Sequence, residues 1–216
     1  MPALLTWWKL DVAELSPAAH SDAVEAIGAD LARRLAQPHR RYHTAQHVVE
    51  MFWALEDLER ADLLTAREAA LARVAACFHD AVYRPLSEPG DNERESAELS
   101  ARSLRPLGLP DADIETVTSL VLATQAHELA GERLAAAFHD ADLWILSAPP
   151  QRYAEYTAQV REEYAEVPEE AFRAGRAAVL RPFLERESIY ATDLARREWE
   201  PQAREQLAAE IRGLQA

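Results

Sequence analysis

The chain carries one cysteine, Cys77, and only six glycines in 216 residues. A single thiol excludes an intrachain disulfide, and its place in the apolar run Ala75-Ala76-Cys77-Phe78 marks it as a small core residue rather than a nucleophile; the chain fits a reducing compartment. Scarce glycine and few β-branched residues, beside abundant Ala, Leu, Glu and Arg, exclude a strand-rich fold and predict an all-α one. No run of about 18 apolar residues occurs, which excludes a membrane-spanning helix. The stretch from Met1 to Leu15, with Trp7, Trp8 and Lys9, lacks the apolar segment of a secretory signal, so a cytoplasmic location is expected. Basic residues are in deficit, 23 Lys and Arg against 37 Asp and Glu, for a net charge of -14. Such a surface repels phosphate backbones and anionic headgroups, so neither a long nucleic acid nor a membrane is an expected partner. A small phosphorylated molecule stays compatible, because a bound dication and a few local arginines reverse the field inside one cleft.

What is present is ample core, 49% hydrophobic residues, over a length that predicts a single domain spanning 1–216. Apolar spacing predicts helices over 3–15 and 18–36 with Ser16-Pro17 between them, then over Tyr42–Leu58 and Thr65–Phe78. The loop Tyr83–Asn92 holds two prolines and a glycine, and Asp91 or Asn92 is placed to cap the next helix. Further helices are predicted over Asp111–His127 and Leu134–Leu146, from Pro149-Pro150, from Pro168, and over Glu198–Leu214, with a loop at Ile189–Asp193.

Polar groups interrupt this pattern in a few places. The apolar run ending at Phe78 delivers His79-Asp80, and a buried imidazole beside a buried carboxylate points to a metal ion. His43 and His47 stand four apart, on one face of the expected helix. A later helix runs out on His127-Glu128. Leu134–Leu146 is apolar except for His139, Asp140 and Asp142; the two carboxylates point apart on a helix, so at most one faces a metal while the other orients a ligand. Glu93 reads most simply as a favourable first-turn charge, and Arg161, Arg173 and Arg176 as paired surface arginines that could also supply a phosphate clamp.

The ordered set resembles the HD superfamily of metal-dependent phosphohydrolases, and most closely a bacterial subgroup of about this length. The resemblance rests on Arg41-Tyr42-His43 with His47, on Phe78-His79-Asp80-Ala81-Val82-Tyr83, on Asp91-Asn92-Glu93 with Ser96, on Ala123-Thr124 with His127, and on Asp140-Ala141-Asp142-Leu143. It continues through Arg161-Glu162-Glu163-Tyr164 and Gly175-Arg176 to Ile189-Tyr190. It implies a compact helical bundle with a metal-site core at about 40–146 and C-terminal helices over 149–214 packed on it. It implies His47, His79, Asp80 and Asp142 as metal ligands, with Asp140 as the fallback, and gives His43 the place of a catalytic acid. His139 departs from the pattern, which expects an aliphatic residue there.

Mixed imidazole and carboxylate donors suit Mn, Fe, Co, Ni or Zn better than Mg. The expected function is hydrolysis of a small phosphorylated substrate, a nucleotide in the first instance, by a metal-activated water. Asp80 would orient the water, His43 or His127 would protonate the leaving oxygen, and Arg41, Arg94 or Arg176 would hold the phosphate, with Tyr83 and Glu93 at the substrate. The rivals are a nucleotide-binding sensor with little turnover and a di-iron oxygenase recruiting His43 and His127; a homodimer is compatible with each.

Overall fold

The computed structural model describes residues 2–129 and 131–215, leaving Met1, Ala130 and Ala216 outside, and among these residues every regular element is helical. Eleven α-helices follow in order: α1 (Pro2–Leu15), α2 (Ser21–Leu35), α3 (Ala45–Arg60), α4 (Ala66–Phe78), α5 (Asp91–Leu104), α6 (Asp111–Ala123), α7 (Arg133–Asp142), α8 (Pro150–Glu163), α9 (Glu169–Glu185), α10 (Asp193–Glu198) and α11 (Glu200–Gln215). Among the described residues no helix is long and apolar enough to cross a membrane.

The centre of the fold is α4. Thr65 and Glu68 close a capping box at its start, and every residue from Ala69 to Phe78 is buried. Five of those ten are alanines, so α1, α3, α5, α6 and α7 can all pack against it. Its charged member, Arg73, is paired with the buried Asp11 of α1 at 2.8 Å and with Glu59 at 3.2 Å, which satisfies a guanidinium inside the core. On the outer side, α1 packs on α2 through Trp8, whose Nε1 donates to the carbonyl of Val24 at 2.8 Å. A Cβ at Gly28 would stand 2.8 Å from Trp8 Cδ1. Gly28→Ala is therefore expected to lose about 1 kcal/mol in urea unfolding, because overpacking of about 1–3 kcal/mol exceeds the helix-propensity gain of about 1; an unchanged or higher midpoint would show that Trp8 yields.

The structure departs from the expected boundaries for local reasons. The second helix begins at Ser21, beyond the Ser16-Pro17 break. The third begins at Ala45 because the Thr44 hydroxyl caps it by accepting from the amide of Gln46 at 3.3 Å, so His43 precedes the helix instead of lying on it. Neither Asp91 nor Asn92 caps α5. That place is taken by Gly90 at φ 84°, while Asn92 turns back to grip the backbone N–H and carbonyl of Arg84 at 3.1 Å each. Helix α6 stops at Ala123, and His127 follows in a turn at φ 44°. The C-terminal helix expected over Glu198–Leu214 is α11, and a short helix not expected, α10, precedes it, the two meeting at the buried Trp199.

Candidate metal centre

Helix α4 ends where His79 caps it, and the His79 ring folds back so that Nδ1 donates to the carbonyl of Ala76 at 2.9 Å. Only a protonated nitrogen can donate to a carbonyl, so in the neutral ring Nε2 carries the lone pair. That Nε2 lies 3.1 Å from Nε2 of His47, in the first turn of α3, whose own Nδ1 is hydrogen-bonded to the Tyr42 hydroxyl at 2.9 Å. The Asp80 carboxylate reaches the same point, with Oδ2 2.9 Å from His79 Nε2 and 3.8 Å from His47 Nε2. Asp142, at the end of α7, adds Oδ1 at 3.1 Å from His47 and 3.5 Å from His79.

His47, His79 and Asp80 form a buried group whose donor atoms lie within 4.8 Å of one another and which could hold a metal ion. The donor chemistry fits one: two imidazoles, each with its other nitrogen already fixed, aim at one point beside two carboxylates. Burial pushes the His79 imidazole down, but Asp80 and Asp142 outweigh it and hold it up at about 9. Burial likewise opposes ionisation of Asp80 and Asp142, and the imidazoles around them overturn it, keeping both carboxyls well below the usual carboxylate range. His127, 3.9 Å from Asp142 Oδ2, is pushed down by its burial.

Two buried groups hold the ligand-bearing loops in place, and neither was visible as functional in the sequence. Arg40 donates to the carbonyls of His43 and Asp80 at 2.8 Å each and to that of Ala81 at 3.3 Å, joining the segment before α3 to the segment after α4. Glu163, the last residue of α8, accepts from the consecutive amides of Arg41, Tyr42 and His43 at 2.7, 2.9 and 3.0 Å on Oε1. Its Oε2 accepts from His43 Nδ1 at 2.6 Å and from the Tyr83 hydroxyl at 2.9 Å. This nest of amides is why residues 41–43 are not helical. Burial works against the Glu163 charge, but His43 and the amides hold its pKa down at about 2.

A carboxylate depressed in the folded state adds stability above its unfolded pKa, near 4.5, and loses it as pH falls through about 2. The shift corresponds to about 3 kcal/mol. Glu163→Gln is expected to flatten acid unfolding across that window, as followed by circular dichroism; an unchanged profile would refute the assignment.

The remaining candidates separate. His43 and Tyr83 stack with ring centroids 4.0 Å apart and line a cavity of about 310 Å³ that opens onto the four donors. Glu93, His127 and Arg176 line it as well. Arg176 is held by Glu210 and the Tyr156 hydroxyl, both at 2.8 Å. Arg41 does not reach the cavity: its guanidinium turns outward to Glu162 and the carbonyl of Pro38. Arg94 is likewise spent on Asp91 at the surface. Arg161 and Arg173 grip backbone carbonyls of the C-terminal helices and their connections.

Asp140, the fallback ligand, faces away. Fully buried, it accepts from the amides of Ala191 and Thr192 at 2.7 Å each and from the Thr192 hydroxyl at 2.6 Å, so it anchors the start of α10. Nor does it orient a ligand; its imidazole partner is His139, whose other nitrogen bonds the carbonyl of His127 at 3.3 Å. The departure at His139 thus ties the His127 turn, which Arg186 also holds through that carbonyl at 2.5 Å.

Comparison with protein-family models, with curated proteins and with solved structures finds no match for this chain.

Proposed function

We propose that the protein is a metal-dependent phosphohydrolase of the HD type, acting on a small phosphorylated molecule. The observation that carries the reading is the convergence of His47 Nε2, His79 Nε2, Asp80 Oδ2 and Asp142 Oδ1 on one point below the cavity. His47, His79, Asp80 and Asp142 would hold the ion, and Mn, Fe, Co, Ni or Zn suits this donor set better than Mg. A divalent cation there supplies Lewis acidity, lowering the pKa of water and polarising a phosphoryl oxygen.

The protein's own groups supply the rest. His43, with Nδ1 donating to Glu163, has Nε2 left for the substrate and is the donor to the leaving oxygen; Glu163 fixes its tautomer and orientation. Arg176 is the arginine at the cavity and the group that binds the phosphoryl oxygens. Asp80 orients the attacking water.

His127, 3.9 Å from Asp142, favours a second reading, a di-iron oxygenase. The metal-capable group among the described residues is His47, His79 and Asp80, without His43 or His127, which weighs against a second iron. The deciding experiment strips the protein of metal, reloads it with Mn, Fe, Co, Ni, Zn or Mg, and measures bound metal per chain, phosphate release from nucleotides and simple phosphoesters, and oxygen uptake. Metal-dependent release is the expected result; two irons per chain with oxygen uptake and no release would move the assignment to the oxygenase.

A further inference from the structure

A second cavity, about 430 Å³, continues from the metal-site cavity and shares with it Tyr42, His43, Tyr156, Tyr164, Arg176 and Val179. Its other walls are Leu86, Val160, Val167, Ala171, Phe172 and Gly175. No Asp, Glu, Asn, Gln, Ser or Thr lines it among the described residues. The Tyr42 and Tyr156 hydroxyls are already engaged, by His47 and Arg176, so little remains to read the polar edge of a nucleobase. Leu86 and Val179, at its edge, are 64% and 59% exposed, two of the six large apolar side chains left exposed among the described residues. Exposed apolar groups gathered at a cavity beside a polar centre mark a ligand site.

Charge limits the other end of the ligand. Among the described residues Arg176 is the only Lys or Arg lining either cavity, and Asp80, Glu93 and Asp142 line the first. One guanidinium, partly matched by Glu210, serves one phosphate; further phosphates would face carboxylates.

We infer that the substrate is a phosphomonoester of an apolar, ring-bearing alcohol, its single phosphate at the metal site and its hydrocarbon body in the groove between Leu86 and α9. This rests on the phosphohydrolase reading above and replaces the nucleotide expectation within it. In the reaction, the water oxygen bonds to phosphorus, the ester P–O bond breaks, and the alcohol oxygen takes a proton from His43. His43 is recharged by the proton that water gives up, and inorganic phosphate leaves.

Gly175 gives a test, because it lines the groove and a Cβ there meets nothing within 4 Å, so a leucine side chain can leave the backbone there without a clash at its first atom. Calorimetry on Mn-loaded protein would compare 2-naphthylmethylphosphonate, which cannot be hydrolysed, with adenosine 5′-monophosphate. The naphthyl ligand is expected to bind at least tenfold tighter, and Gly175→Leu to weaken it at least tenfold. Leu86→Asp, a change at an exposed site, should weaken it in the same direction and covers the event that Gly175→Leu misfolds. Equal affinity for the two ligands, or a naphthyl affinity that neither variant moves, overturns the groove assignment whether or not phosphate is released. Groove-dependent binding without release from 2-naphthyl phosphate overturns the hydrolase reading alone and leaves the apolar site standing.

Discussion

Asp80→Ala is expected to lower metal-dependent phosphate release by three orders of magnitude or more, which corresponds to about 4 kcal/mol of lost transition-state stabilisation. Asp80 is the carboxylate nearest His79, at 2.9 Å, and in the proposed mechanism it both holds the ion and orients the water. Removing it should also weaken metal binding measured by calorimetry. The helix behind it should persist, because the buried run from Ala69 to Phe78 makes no use of the Asp80 side chain. Far-ultraviolet circular dichroism on the same sample separates loss of chemistry from loss of fold. A variant that keeps most of its activity at saturating metal would sink the ligand assignment.

For Asp140→Ala the large effect falls on stability, about 3–5 kcal/mol by denaturant unfolding, because three donors on Ala191 and Thr192, two of them buried, lose a charged acceptor at once. Asp142→Ala, two residues on, is expected to change stability by no more than about 1 kcal/mol while removing metal affinity, since the imidazoles beside it can release a proton in compensation. Opposite phenotypes two residues apart on one helix are the signature. Similar stability losses in both variants would mean that Asp142 is structural too.

The difference between these two carboxylates was legible in the sequence only halfway. Helical spacing shows that Asp140 and Asp142 cannot face the same point, but which one faces the metal site depends on where α3 and α4 end up. The helical class and most helix starts were equally readable, since composition, caps and prolines are local signals: Thr65, Pro149 and Pro168 each stand where they were expected. His43 was misplaced onto a helix because what holds it is Glu163, some 120 residues away, and no local pattern competes with three amides and a ring nitrogen on one carboxylate. The same distance concealed Arg40, which reads locally as one more charge in a Pro-containing turn. For Glu163 the available hint was its place in the Arg161-Glu162-Glu163-Tyr164 stretch of the resemblance, which carried no role for it. Arg41 and Arg94 were expected at the phosphate without a local signal to place them there, and exposed helix ends and turns offer closer acidic partners, which claim them first.

The alanine-rich make-up of α4 has a bearing on how such a site can drift over time. Side chains that end at Cβ have no rotamers with which to absorb an added methyl group, so enlargement anywhere between Ala69 and Ala76 must translate the whole rod along or across its axis. His79 rides on the end of that rod and would be carried with it, away from His47 on a helix that had not moved. Sequence change on this helix is then screened by catalytic alignment well before it is screened by solubility or melting. Neighbouring surfaces such as the outer faces of α9 and α11 answer to no such alignment and are free to diversify.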